Sequence, residues 1–264
     1  MNAQLVKRQM PEERDLEKKR AELKDAEEVV TERELELATY QAELREFKQR
    51  YLRIVGARYA ELDEVNAQVA EARARLNPDN ATARKEAAQA REQAQESAGA
   101  AAEAITAETR GKFKPSDELK SLYRSLAKEM HPDKATDATE RERRHQLMIQ
   151  INLAYQAGDL ARLLKIQHDW QHSSAAIKDE SVGAELVKVI RQIAQLEERM
   201  LAIDAEIEIL EASELAELKR KAEYAEEEDR DLLAEMAADL EEEIFTAKAK
   251  GFDVVVKLLR QLGK

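Results

Sequence analysis

Cysteine is absent from the 264 residues, which excludes disulfides and cysteine-ligated zinc. The chain has only 4 prolines and 7 glycines, so reversals are few. Aromatic residues make up 4%, too little for a compact enzyme with a large core. No apolar run approaches the roughly 20 residues needed to span a bilayer. The first residues, Met1-Asn-Ala-Gln-Leu-Val-Lys-Arg8, lack the apolar core of a signal peptide. What abounds is charge, at 37% of residues, a proportion typical of long helices and coiled coils. The expectation is an all-α, cytoplasmic protein without membrane insertion, of a length that holds one or two domains.

The net charge is −12, which argues against nucleic acid as a partner, because phosphate contacts need a basic surface. The charge is uneven. Residues 112–170 carry 11 Lys/Arg against 9 Asp/Glu, whereas 1–111 carry 19 against 23 and 181–264 carry 12 against 21. The least acidic segment is the central one, as suits a region that meets an acidic partner.

Leu16, Leu23, Val30, Leu37, Leu44 and Tyr51 recur every seven residues, with a second seam at Ala26, Tyr40, Phe47 and Ile54. The pattern then jumps by four and resumes as Val55, Leu62, Val69 and Leu76, a stutter that predicts local unwinding without a break. Asn77-Pro78-Asp79 ends the helix. From Asp15 to Leu76 it would be on the order of 90 Å long, and in water it needs a partner helix. Residues 80–111, rich in Ala, Gln and Glu, read as a helical spacer or a close-packing helix ended by Gly111 and Pro115, with an unstructured linker as the alternative. Leu186, Val189, Ile193, Leu196, Met200, Ile203, Ile207 and Leu210 alternate by three and four, a second coiled-coil strand. It loosens at Ser213. After an acidic stretch a helix carries Leu232, Met236, Leu240 and Ile244, and Gly251 is expected to break it before a short helix from Val254 to Leu262. The two coils would pair antiparallel within one chain or in parallel as a homodimer.

The central segment carries the chemistry. Leu119, Leu122, Tyr123, Leu126 and Met130 make one face of a helix that Ser116 or Asp117 can cap. Lys120, Arg124 and Lys128, four residues apart, make a basic ridge on another face. A loop, His131-Pro132-Asp133-Lys134, follows. Asp137 and Glu140 have capping-box spacing at the start of a second helix, whose Met148, Ile151, Ala154 and Tyr155 would pack against the first. Gly158 can end that helix, and Asp159 can cap a third one bearing Leu160, Leu163, Leu164, Ile166 and Trp170. The histidines, His131, His145, His168 and His172, show no metal-ligand spacing, and no nucleophile lies near the loop. No catalytic residue, metal or cofactor is expected.

Residues 113–157 resemble the J-domain of DnaJ-type co-chaperones. Tyr123, Arg124, Leu126, Ala127 and the tetrapeptide His131 to Lys134 match that family's second helix and loop, and Ile151, Asn152, Ala154 and Tyr155 match its third helix. The family's first helix is not recognisable, Met148 stands where Phe is common, and Glu118 and Glu129 dilute the ridge. No Gly/Phe-rich or zinc module follows. The resemblance implies stimulation of ATP hydrolysis by a seventy-kilodalton heat-shock chaperone (DnaK in bacteria). Lys120, Arg124 and Lys128 would meet its acidic surface and His131, Pro132 and Asp133 its interdomain interface, with Lys134 also in the contact. The implied fold is all-α, with elongated coiled-coil helices flanking a small helical J-like hairpin. Its segments are a coil at 1–77, a spacer at 78–111, the J-like domain with an extra helix at 112–172, and a second coil with short helices at 181–264. The coils would choose an unidentified protein client, or the whole would be a scaffold with a degenerate J-like part. The 160–170 helix or the Ala-rich spacer would replace the absent first helix.

Overall fold

Heptad stripes and strong helix formers leave little choice of secondary structure, and the chain is all-α. The structure is a computed structural model that describes residues 11–106, 112–135, 137–171 and 182–262. The helices are α1 (Pro11–Tyr51), a π-helical turn (Leu52–Gly56), α2 (Ala57–Leu76), α3 (Ala81–Thr106), α4 (Asp117–Met130), a 3-10 turn (Pro132–Lys134), α5 (Ala138–Gln156), α6 (Leu160–Gln171), α7 (Val182–Glu211), α8 (Glu214–Glu227) and α9 (Leu232–Leu262). Among the described residues no helix is long and apolar enough to cross a membrane.

The compact units cut across the linear segments. One unit comprises Met1–Glu43 with Phe113–Ser213, and the other Leu44–Lys112 with Glu214–Lys264. Long helices are the reason, because α1 is extended enough to supply residues to both.

In the second unit, the expected stutter coincides with the π-helical turn, and Val55 within it is fully buried. The wider turn absorbs the extra residues and returns the apolar stripe to the buried side. Val55 joins Phe47, Ala222, Leu233 and Leu240 in one apolar cluster. After Asn77 the chain reverses, and Asn80 Oδ1 caps α3 by accepting from Thr82 N (3.0 Å) and Ala83 N (3.2 Å). The Ala-rich segment is thus a close-packing helix, its Ala87, Ala94 and Ala101 buried at heptad spacing. Arg91 ties α3 to α2 through Glu71 (2.8 Å) and Glu64 (2.6 Å). Gly111 lies outside the described residues.

Two expectations about the second coil are corrected. Gly251 does not break α9, which continues to Leu262. A Cβ there would lie 2.8 Å from Val69 Cγ2 of α2, so glycine admits a close helix approach rather than a bend. The coils pair within the chain but run parallel, not antiparallel. In the second unit Arg58 meets Glu241 and Glu61 meets Lys248. In the first unit Arg20 meets Glu185, Arg33 meets Asp204, and Val30 and Leu37 pack with Leu196 and Ile203. In both cases residue numbers rise together. The reversals between α4, which runs antiparallel to α1, and α7 leave α7 running with α1.

Gly251→Ala sets up to about 1 kcal/mol of gained helix propensity against overpacking that costs about 1–3 kcal/mol. Val69 is β-branched and confined to one rotamer in a helix, so it does not yield. We expect a net loss of about 1 kcal/mol by denaturant unfolding, and recovery when Val69→Ala is added.

Candidate functional site

The hairpin of α4 and α5 begins at its caps. Ser116 Oγ accepts from Leu119 N (3.1 Å) at the start of α4, and Asp137 Oδ1 accepts from Glu140 N (2.9 Å) at the start of α5. Gly158, at φ +66°, closes α5 in the left-handed conformation that glycine tolerates. Asp159 Oδ1 then caps α6 by accepting from Arg162 N (2.9 Å). Leu119, Tyr123, Leu126, Met130, Met148, Ile151, Ala154 and Tyr155 are buried together, and Leu122 is half-buried against them. Two helices alone would bury only a thin seam. Leu163 and Ile166 of α6 complete it on one side, and Leu35 and Ala38 of α1 on the other. The 160–170 helix therefore packs into the hairpin's core, whereas the Ala-rich helix belongs to the other unit. The contribution of α1 was not foreseen.

Polar contacts fix α1 to the hairpin. The Tyr123 hydroxyl has one proton to donate and lies within reach of both Asn152 Oδ1 (2.9 Å) and the Glu34 carbonyl (3.2 Å). Thr39 Oγ1 and Tyr155 Oη lie 2.9 Å apart, and Gln156 Nε2 donates to Gln41 Oε1 (2.7 Å). The rings of Tyr123 and Tyr155 meet at a tilt of 51° with centroids 4.7 Å apart, and Phe113 meets Tyr155 edge-on at 5.7 Å. Trp170 packs on the hairpin rather than standing free: its Nε1 donates to Glu129 Oε1 (2.8 Å), and Arg144 lies 4.9 Å above its ring.

The loop after α4 is a single 3-10 turn with Pro132 at its start. Arg144 of α5 braces it, donating to the carbonyls of Glu129 (2.9 Å) and His131 (3.5 Å). His131 is only 6% exposed, while Pro132, Asp133 and Lys134 are half-buried. Over the imidazole lies Glu34 of α1, at 3% exposure one of the most buried charged residues described. Its Oε1 accepts from Arg199 Nε of α7 (2.8 Å) and stands 3.7 Å from His131 Nε2.

The basic ridge faces α1 as well. Arg124 forks onto Glu32 (2.5 and 3.2 Å), Lys128 reaches Glu28 (3.3 Å), and Lys134 reaches Glu27 (2.9 Å). Lys120 is half-buried and makes no ion pair among the described residues. The structure thus brings Arg124, Lys128, His131, Asp133 and Lys134 to one surface and sets a row of α1 carboxylates against it. Glu27, Glu34 and Gln41 lie four residues after Leu23, Val30 and Leu37. They follow the same heptad as the apolar seam, which is the signal in the sequence that α1 turns a second face inward.

Burial works against the His131 imidazolium, but the carboxylates of Asp133 and Glu34 outweigh it and raise the pKa above the ordinary value. Burial likewise opposes the Glu34 carboxylate, but His131 and Arg199 outweigh it and lower the pKa. His131 Nδ1 lies 3.3 Å from the Asp133 amide N and 3.2 Å from Asp133 Oδ2. Nδ1 accepts from the first when it carries no proton and donates to the second when it carries one, so the proton on Nδ1 decides which contact forms. With Nδ1 unprotonated, Asp133 Oδ2 is buried without a donor.

Comparison of the chain with protein-family models, with curated proteins and with solved structures finds no match in any of the three.

A raised His131 pKa stabilises the folded state below the ordinary imidazole value and is lost as pH climbs through the raised one. A lowered Glu34 pKa stabilises above the ordinary carboxylate value and is lost as pH falls through the lowered one. Between these limits the closure is strongest. The thermal midpoint of the parent should fall as pH rises from about 6 to about 9, and that slope should flatten in Glu34→Gln. Because Glu34→Gln removes the buried carboxylate facing Arg199 and His131, chemical unfolding should show a loss of about 2–3 kcal/mol, below the full cost of breaking a buried pair because Arg199 is partly exposed and keeps its pair with Glu206.

Proposed function

We propose that the protein is a cytoplasmic J-domain co-chaperone, which raises the ATP turnover of a DnaK-type chaperone and brings it to a protein client held by the coiled coils. The observation that carries this reading is the α4–α5 hairpin with His131-Pro132-Asp133 at its turn and Arg124, Lys128 and Lys134 on the adjoining surface. The chain's own residues supply no covalent chemistry. Arg124, Lys128 and Lys134 would hold an acidic surface, and Asp133 would compete for a polar contact inside the chaperone. Arg144 would hold the turn in place for that competition.

One observation favours a second reading. His131 is buried against Glu34 and Asp133, so the tripeptide is a structural link between α4 and α1. A scaffold with a degenerate J-like hairpin would use it in that way alone.

Steady-state ATP turnover by a DnaK-type chaperone separates the two. The co-chaperone reading expects the parent to raise turnover, and Asp133→Asn to lower the stimulation about tenfold or more while the fold persists. The scaffold reading expects no stimulation by either, and Asp133→Asn to change only the thermal midpoint. Equal stimulation by both would remove the tripeptide from the working surface.

A further inference from the structure

The residues that would meet a chaperone already have acidic partners. Arg124 and Lys128, four residues apart on α4, pair with Glu32 and Glu28, four residues apart on the antiparallel α1. Lys134 pairs with Glu27, and His131 is covered by Glu34. From the other side α7 brings Gln192 and Leu196 to a crevice that also touches His131, Asp133 and Leu23. A protein surface bidding for the same cations and the same turn must therefore displace α1.

We propose that α1 is a cis-acting mask whose carboxylates stand in for the acidic surface of the partner, so that the hairpin engages a chaperone only after α1 lifts away. This rests on the co-chaperone reading and adds its regulation. Two of the ion pairs are suited to exchange, whereas Glu27 opposite Lys134 is mostly buried. Glu28 and Glu32 remain 56% and 58% exposed, so water screens each pair, which holds the closed form by a factor of only about 1.4 to 5. Glu34 differs: buried and shared with Arg199, it keeps α1 and α7 together.

Two forms of the full chain test this. The first is the triple variant Glu27→Gln, Glu28→Gln, Glu32→Gln, which weakens the mask while leaving every chaperone-facing residue intact. The second is Gln41→Cys with Gln156→Cys, cross-linked by a reducible bis-maleimide. The native chain has no cysteine, so the linker joins only these positions and holds α1 on α5. ATP turnover by a DnaK-type chaperone is followed against concentration. The triple variant should reach half-maximal stimulation at about three- to tenfold lower concentration than the parent. The cross-linked protein should stimulate at least about tenfold less than the same sample after reduction. Equal stimulation before and after reduction, with parent and triple variant alike, would overturn the mask and leave the co-chaperone reading standing. Absence of stimulation by every form, the triple variant and the reduced sample included, would overturn the co-chaperone reading and the mask with it.

Discussion

A single buried carboxylate, Glu34, organises the first unit. Removing a carboxylate from water costs several kcal/mol, and that cost is offset only where cations and donors converge on it. Here Arg199 of α7 donates to it directly, and His131 of the turn stands within ion-pair reach. Three stretches distant in sequence are thereby brought to one point. Apolar stripes can slide along one another by a heptad at modest cost, whereas a buried charge tolerates only one partner geometry. The register of α1 on α7, and of both on the hairpin, follows from that constraint.

Around this point the packing is economical. The α4–α5 hairpin cannot make a core by itself, and its third and fourth sides come from α6 and from the Leu35–Ala38 face of α1. The helix that completes the core is therefore the helix that covers the basic ridge. Stability and accessibility of the ridge become one quantity, because a surface cannot be both packed against α1 and offered to a partner. The weak, solvated pairs of Glu28 and Glu32 against the buried Glu34 divide that cover into a part that exchanges readily and a part that does not.

Much of this was legible in the chain. Ser116, Asp137, Gly158 and Asp159 mark helix ends through local chemistry that acts over three or four residues, and each sits where such chemistry puts it. The phase jump after Tyr51 marks the π-helical turn. The direction of coil pairing was not legible, because a heptad stripe is the same whether its partner runs parallel or antiparallel. Gly251 was misread for a related reason: glycine can break a helix or admit a neighbour, and only the presence of Val69 at 2.8 Å decides which. At the site, the loop and ridge were readable but their cover was not. Glu27 and Glu34 look like ordinary charged positions of a solvated helix until the second inward face of α1 is recognised.

The carboxylates of Asp133 and Glu34 outweigh burial and raise the pKa of His131 above its ordinary value. The most direct test is a nitrogen-15 NMR titration of the His131 ring in the full chain. The account predicts that Nδ1 and Nε2 both carry protons above the ordinary imidazole pKa of about 6.5, with a midpoint that drops in Glu34→Gln. A His131 midpoint at or below the ordinary value, unchanged by Glu34→Gln, would contradict it.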